Sequence, residues 1–393
     1  MSTDSLIEYY QKNNFNPVPI ALQEQAAWES HFAKRLNLYQ RHLGIPLSLL
    51  RDCSVLEFGC NSGENALVLA SVGANLTLVE PNEQVWLRLK ALFQKFALEE
   101  RIVALVQEDI ESFDSKRLYD IVLAEGFLFT LPNRDEMVYK ISRLLVPGGL
   151  AVISFNDRYG ILIELTKRLI VWRACQLAGI DVHSIDSLGL AKRLYWEDFA
   201  QLNASRPFEV WWKDMLVSPF VISPYLWSYS ELLSLIEEVD CEFHSSSPKW
   251  SSIDHFTWYK NILDSQSRHQ CLLDDWARFF PFFLTGLRPS NGEFERANPK
   301  VIASVSKLIA QISEYTTVPN SSVDAVLYPS QLDEYFNRCE DSRLRRFNSE
   351  MKRLYEAVRS CQLDDLISAY HGAQHVRTLW AAPYHYICFS KLA

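Results

Sequence analysis

Residues 54–65 read Ser-Val-Leu-Glu-Phe-Gly-Cys-Asn-Ser-Gly-Glu-Asn, and this stretch decides the fold. The apolar run that begins at Val55 is typical of a buried strand, and Gly59 and Gly63 then indicate a tight turn. A helix is predicted directly after the turn, over 66–72. Since a β-carbon at either glycine would occupy the space beside the turn, we expect the backbone here to approach a ligand closely.

Short apolar runs alternate with helical patterns on the carboxyl side of this turn. The alternation is typical of βαβ units with a parallel sheet. An alternating run near the end of the chain predicts one more strand. The predicted strands lie at 54–58, 76–80, 102–106, 119–124, 150–155 and 384–389, with a further possible strand at 241–246.

Helices are predicted at 82–98, where Asn82 is placed to cap the first turn, at 158–178 and at 229–238. Residues 180–230 carry no clear periodicity and are expected to be irregular, apart from the start of the last of these helices.

The arrangement of Glu57, one spacer residue and then the pattern GxxxG resembles the first motif of class I S-adenosylmethionine (SAM) dependent methyltransferases. A dinucleotide fingerprint, GxGxxG, is the alternative interpretation. It fails because Asn61 replaces its middle glycine and Glu64 its last position. Glu64 would also repel a pyrophosphate at a helix N-terminus, whereas SAM carries a sulfonium instead of phosphates.

The resemblance implies SAM as the cofactor and assigns roles to the acids that follow the strands. Glu80 would accept both ribose hydroxyls, and Asp109 would accept a hydrogen bond from the adenine amino group. For Glu80 a surface carboxylate at a strand end is the alternative, and for Asp109 the alternatives are Glu108 or a simple turn residue. The implied cofactor-binding residues are Glu57, Gly59, Cys60, Asn61, Gly63, Glu80, Pro81, Asp109, Ile110 and Glu125.

The resemblance extends to the turn at 144–150, which leads into the fifth strand, and it implies the fold class. We expect an α/β fold with a doubly wound, seven-stranded, mostly parallel sheet, an N-terminal helical segment and a large, mainly helical insertion or cap. One departure is the stretch 126–132, where many small-molecule methyltransferases have a Glu-His pair. A histidine base is therefore not carried over to this position.

Asn156 and Asp157 are the candidate catalytic residues, because they follow the fifth strand at the edge where open α/β sheets bind ligands. A helix cap is the competing interpretation for Asp157. A metal site is not expected: His371 and His375 have the spacing of a helical metal pair, but Gly372 intervenes and the glutamate of HExxH is absent.

Five parts of the chain are expected. These are an N-terminal helical segment (1–50) that is a possible lid, a SAM-binding core (51–156), a helical and aromatic cap that also continues the core (157–250), a mainly helical insertion (251–380) and the closing strand (381–393). Eight of the eleven tryptophans fall between 157 and 280. They are interpreted either as the lining of an acceptor pocket or as core packing.

The composition of the chain limits the kinds of partner that it is expected to bind. A net charge of -9 argues against an extended phosphate-binding surface, so no nucleic-acid partner is expected. No run reaches the roughly 20 apolar residues of a membrane span, and no signal peptide is recognised. Eight cysteines without a CxxC pair suggest reduced thiols and a cytoplasmic location.

These observations predict a SAM-dependent methyltransferase that modifies an oxygen or nitrogen atom of a small-molecule acceptor, a metabolite or a sugar-containing intermediate. Two alternatives stay open. One is a methyltransferase acting on protein or tRNA, which the acidic balance disfavours. The other is a SAM-binding protein without catalytic activity that serves as an interaction partner, which the missing Glu-His pair would allow.

Overall fold

A computed structural model describes most of the chain. The described residues are 3–12, 25–202, 207–251, 263–288, 295–318, 321–360, 362–380 and 383–392.

Seven strands form one sheet in the order β3-β2-β1-β4-β5-β7-β6. Neighbouring strands from β3 to β5 pair in parallel, and β7 pairs antiparallel with β6. The fold is therefore α/β with a mostly parallel sheet of Rossmann-like type, as predicted. The strands are β1 (Ser54–Phe58), β2 (Asn75–Val79), β3 (Ile102–Val106), β4 (Tyr119–Ala124), β5 (Leu145–Asn156), β6 (Cys241–Ser247) and β7 (Tyr384–Lys391).

The strand order reverses between β1 and β4, which are hydrogen-bonded neighbours with Phe58 opposite Ala124. On the other side of β1, Phe58 lies opposite Val79 of β2. The carboxyl ends of these three strands thus meet at one edge of the sheet. This edge at a strand-order reversal is where open α/β sheets bind their ligands.

The central strands are apolar on both faces, which is typical of a parallel sheet covered by helices on both sides. In β1, Val55 and Leu56 point to opposite faces and both are fully buried. Glu57 is the exception in this strand, because it is a carboxylate with only 2% of its surface exposed.

Helices connect the strands and make up most of the remaining chain. The α-helices are α1 (Thr3–Lys12), α2 (Gln25–Asn37), α3 (Leu47–Leu50), α4 (Glu64–Ser71), α5 (Trp86–Lys95), α6 (Arg134–Arg143), α7 (Leu162–Ala178), α8 (Ile185–Phe199), α9 (Phe208–Trp211), α10 (Tyr229–Glu238), α11 (Ser265–Thr285), α12 (Pro299–Tyr315), α13 (Ser330–Arg338), α14 (Ser342–Val358), α15 (Leu363–Gly372) and α16 (Gln374–Arg377). Short 3₁₀ turns lie at Glu83–Val85, Glu99–Arg101, Leu128–Thr130, Ser223–Tyr225 and Val323–Ala325, and π-helical turns at Leu38–His42 and Trp212–Leu216.

Three helix predictions need correction. The predicted helix 158–178 begins only at Leu162, after a turn whose N–H groups at Tyr159 and Gly160 donate to Asp157. The stretch 180–230 is not irregular, because it contains α8, which begins after Ser184; the Ser184 hydroxyl accepts a hydrogen bond from the Ser187 N–H. Gly189 inside α8 weakens the helical pattern in the sequence. The predicted helix 82–98 is shorter: Asn82 caps a 3₁₀ turn and α5 begins at Trp86.

The chain divides into two compact units. The first consists of Met1–Phe155, Tyr229–His269 and His385–Ala393, and the second of Asn156–Ser228 and Gln270–Tyr384. The first unit has an apolar core that includes Tyr39 beside α2 as well as Val55 and Leu76 of the sheet. The N-terminal segment therefore packs into the same unit as the sheet. The predicted boundaries at 51, 157, 251 and 381, and a lid role for any part, stay predictions.

The second unit is built around α7. Residues 161–171 are all buried, and α7 packs against α8, α12, α14 and α15. A helix that is buried on all sides is the core of its unit. Arg168 of α7 is accommodated there because its guanidinium donates to the Ser218 carbonyl at 2.7 Å.

Within the described residues, no helix combines the length and the apolar character that crossing a bilayer requires.

Candidate functional site

The loop after β1 is held in a left-handed conformation at three places. Gly59 has φ +68°, Asn61 has φ +48° and Gly63 has φ +85°. Gly63 is the residue before α4, so the loop ends on a helix N-terminus. Glycine adopts such angles without the steric cost that other residues incur, which explains the two glycines.

The space beside both glycines is occupied by other side chains of the protein. A β-carbon at Gly59 would lie 2.9 Å from Cδ1 and Cε1 of the Phe127 ring, and one at Gly63 would lie 3.0 Å from Cγ of Leu89. The sequence predicted that this space would face a ligand. The observed reason for glycine is the positive φ together with close packing of these two side chains.

Glu80 joins the loop to the end of β2. One carboxylate oxygen, Oε2, accepts a hydrogen bond from the Asn61 N–H at 2.8 Å, and the other, Oε1, accepts from the Asn82 N–H at 2.9 Å. The side chain is buried, and burial raises the pKa of Glu80 while these two hydrogen bonds oppose the increase. Glu80 and the loop therefore lie together, as the resemblance implies.

Glu125, which follows β4, forms a buried ion pair with Arg35 of α2. The two Nη atoms of Arg35 lie 2.8 and 2.6 Å from the carboxylate oxygens of Glu125, and both side chains are less than a tenth exposed. Arg35 also donates to the hydroxyls of Tyr39 and Tyr386. Burial alone would lower the pKa of Arg35, but Glu125 and the two tyrosines raise it well above its ordinary value.

Glu57 lies beside this ion pair without a cation of its own. Its Oε2 atom is buried and has no hydrogen-bond partner among the described residues. Burial raises the pKa of Glu57 to about 8; Glu125 and Glu80 add to the increase, and Arg35 opposes it. Cys60 is buried in the same region, and burial raises the pKa of its thiol well above the usual value.

Asp109 and Ile110 follow β3. The Asp109 carboxylate accepts hydrogen bonds from the N–H and the hydroxyl of Ser112 at 2.7 and 2.6 Å. Burial alone would raise the pKa of Asp109, but these bonds hold it below its usual range. The turn interpretation thus has a structural basis, and an adenine contact stays a prediction. Ile110 is buried, and Pro81, after β2, is half-buried.

Asn156 and Asp157 belong to the second unit. Asn156 is the last residue of β5, and its carbonyl accepts a hydrogen bond from the Trp227 N–H at 3.1 Å. Asp157 is buried, and its Oδ1 atom accepts from the N–H groups of Tyr159 and Gly160. This is the geometry of a capping residue for the turn before α7. A catalytic role for either residue stays a prediction.

In the described part of the chain, no group of three or more His, Cys, Asp or Glu side chains is arranged so that it could hold a metal ion. His371 lies on α15 and His375 on α16, so the two are not on one continuous helix.

The contacts of Phe127 with Gly59 and of Arg35 with Glu125 were not predicted from the sequence. Phe127 packs on Gly59 from 68 positions away in the sequence, and Arg35 meets Glu125 across 90 positions. The sequence held a weak indication for Arg35. It lies four residues before Tyr39, a spacing that places two side chains on one face of a predicted helix.

Comparison with known proteins agrees with the geometry. Residues 56–153 match the protein family described as "Methyltransferase domain". The match runs from β1 into β5 and lies within the first unit. These residues are therefore a methyltransferase domain with a Rossmann-like fold, and SAM is the cofactor expected for such a domain.

The curated relatives are distant. A "Ubiquinone biosynthesis O-methyltransferase" of Rickettsia akari (strain Hartford) is 24% identical over 139 residues, which cover 34% of this chain and 51% of that protein. "Sterol 4-C-methyltransferase strm-1" of Caenorhabditis elegans is 31% identical over 157 residues, which cover 39% of this chain and 44% of that protein. The chain spans about half the length of these two relatives.

Among solved structures, the chain is similar to the N-methyltransferase NodS of Bradyrhizobium japonicum WM9 in complex with S-adenosyl-L-homocysteine (SAH). The identity is 21% and the TM-score 0.30, over 38% of this chain and 74% of that one.

Proposed function

We propose that this chain, whose residues 56–153 form a methyltransferase domain, is a SAM-dependent methyltransferase. The observation that carries the proposal is the 2.8 Å hydrogen bond from the Asn61 N–H to the Glu80 carboxylate. It holds the glycine loop after β1 and the acid after β2 together, at the edge of the sheet where the strand order reverses. Such an edge is the general ligand position in open α/β sheets.

The donor and acceptor groups at this edge suit an adenosyl sulfonium. A carboxylate offers about four acceptor positions, so Glu80 keeps capacity for ribose hydroxyls beyond the two backbone N–H groups that it already binds. Glu57 is buried in the same region and adds negative charge when its carboxyl group ionises. An acidic surrounding favours a cation and disfavours the pyrophosphate of a dinucleotide.

The acceptor that we propose is a small molecule, methylated on oxygen or nitrogen. The net charge of -9 supports a small acceptor over nucleic acid. The names of the two curated relatives, an O-methyltransferase of ubiquinone biosynthesis and a sterol 4-C-methyltransferase, also support a small acceptor.

Catalysis can rest mainly on placement of the reactants, and a general base is needed only if the acceptor must lose a proton. Methyl transfer from a sulfonium is an in-line displacement, and holding the reactants in a near-attack geometry supplies much of the rate. We propose that Asn156, the last residue of β5, helps to position the acceptor. Asp157 is proposed with it, although its capping bonds give it a structural role as well.

We also propose a cytoplasmic location. The cysteines within the described ranges are all free thiols, which is the usual state in a reducing compartment. Fractionation of cells followed by immunodetection tests this proposal, and recovery of the protein outside the cytoplasm would refute it.

Two experiments test the methyltransferase proposal. Calorimetric titration with SAM and SAH measures cofactor binding, and absence of binding would refute the proposal. Incubation with methyl-labelled SAM and a cell extract, followed by separation of small molecules, protein and RNA, then identifies the acceptor class. We expect label in the small-molecule fraction. Label in protein or RNA would refute the small acceptor, and binding without any transfer would favour the non-catalytic alternative.

A further inference from the structure

Glu57 is a deeply buried carboxyl group, and one of its oxygens has no hydrogen-bond partner among the described residues. The cluster around it, which we call the acidic cluster, consists of Glu57 at the end of β1, Glu80 after β2 and Glu125 after β4, with Arg35 of α2. Glu80 is fixed by two backbone N–H groups and Glu125 by Arg35. Glu57 is 2% exposed, and its Oε2 atom has no partner within these ranges.

The charges of the acidic cluster do not balance. The cluster contains three carboxyl groups and a single guanidinium, and both Nη atoms of that guanidinium are engaged by Glu125. A buried carboxylate without a cation or hydrogen-bond donors is costly, so such a group binds a proton instead. A ligand that carries positive charge into the cluster reverses this preference.

We propose that Glu57 is protonated in the ligand-free protein and releases its proton to solvent when SAM binds. This inference rests on the proposed function, since it takes SAM as the ligand. The carboxylate that forms provides a counter-charge for the cationic cofactor. Binding of SAM is then coupled to pH through one identified carboxyl group.

The other groups that face Glu57 do not explain such a proton. Burial raises the pKa of Tyr39, in the π-helical turn after α2, and of Cys60 in the loop above their usual values, so both stay neutral at neutral pH. His31 on α2, which faces Arg35 and Glu125, is also neutral at neutral pH, because burial and Arg35 lower its pKa to about 4. Tyr386 on β7 is bonded to Arg35 and Glu125. Glu80 is the remaining candidate, because burial raises its pKa as well.

The pH dependence follows from linkage. With a pKa of about 8 in the free protein and a lower one in the complex, Glu57 releases a proton at every pH between the two values. The association constant for SAM should therefore rise roughly tenfold per unit between about pH 5.5 and pH 7.5, and level off above about pH 8. In Glu57→Gln it should change less than about threefold over the same range, which also separates Glu57 from Glu80.

The experiment is calorimetric titration of the full chain with SAM at pH 6.5 in buffers of different ionisation enthalpy, which counts the protons released. We expect close to one proton for the wild type and for Glu100→Gln, an exposed control in the same unit, and close to none for Glu57→Gln. Circular dichroism verifies that the variants are folded.

Infrared difference spectroscopy of the wild type gives a readout that needs no variant. We expect the carboxylic-acid C=O band of the free protein to disappear when SAM binds. Binding of SAM without proton release and without loss of this band overturns the inference but leaves the proposed function intact. Equal proton release in wild type and Glu57→Gln also overturns it. Failure of SAM to bind at any pH refutes the proposed function itself.

Discussion

Arg35 and Glu125 lie 90 positions apart in the sequence and form a two-pronged ion pair, with nitrogen to oxygen distances of 2.8 and 2.6 Å. The pair links α2, the second helix of the chain, to the residue that follows β4. Because both side chains are buried, removal of one leaves the other without a counter-charge.

Arg35→Met should lower the free energy of unfolding of the first unit by about 3–5 kcal/mol, because Glu125 is then buried without a partner. The double variant Arg35→Met, Glu125→Leu should recover most of this loss. Urea denaturation measures both, with Lys34→Met on the exposed side of α2 as the control. Equal stability of Arg35→Met and Lys34→Met would contradict the ion pair.

Gly59→Ala should destabilise the protein by more than the backbone conformation alone accounts for. A left-handed residue with a β-carbon costs about 1–2 kcal/mol, and here the β-carbon also meets the Phe127 ring. Gly148→Ala is the matched control, since Gly148 has φ +77° and no atom within 4 Å of its β-carbon position. Thermal melting compares the two; equal losses would show that the contact with Phe127 is unimportant.

Glu80→Ala should weaken SAM binding by about ten- to a hundredfold, equivalent to roughly 1.4–2.7 kcal/mol. The change removes both the proposed ribose acceptor and the hydrogen bond that holds Asn61. Glu83→Ala, an exposed carboxylate three residues later, is the control and should bind SAM like the wild type. Calorimetric titration decides, and unchanged affinity in Glu80→Ala would argue against the cofactor site.

Asn156→Ala should lower kcat about tenfold or more with little change in SAM affinity, if Asn156 positions the acceptor as proposed. Asp157→Ala should lower stability by about 1–2 kcal/mol through loss of a cap. Steady-state kinetics with the acceptor found by labelling, together with thermal melting, separate the two effects. An Asn156→Ala variant with wild-type kcat would remove this residue from the mechanism.

Stability of the ligand-free protein should fall as pH rises from about 4.5 to about 8. The pKa of Glu57 is raised in the folded protein from 4.5 to about 8, so the folded state binds a proton that the unfolded state has lost. The stabilisation is complete below the unfolded pKa and is lost as pH passes the folded one. Urea denaturation at several pH values should show a flatter profile for Glu57→Gln, and identical profiles would contradict the protonated state.

The sequence was sufficient to predict the sheet but not all of the contacts at its edge. Short apolar runs are local features of the sequence, so they predicted strands at 54–58, 102–106 and 119–124. The bounds of β1, β3 and β4 confirm these three predictions. The spacing of the motif likewise predicted that Glu80 lies beside the loop, and the structure places it there. Contacts such as Phe127 with Gly59 depend on packing between distant segments, which no local pattern encodes. The same holds for Glu57: its missing partner can be seen only when its neighbours are placed.

The hydrogen bond between Glu80 and Asn61 has a kinetic consequence. Because both groups of this bond belong to the protein, the loop after β1 can be ordered by folding alone, and the entropy cost of ordering its backbone then falls on folding and not on binding. SAM should therefore associate in a single fast phase without a slow rearrangement of this loop, which stopped-flow fluorescence of the nearby Trp86 can follow.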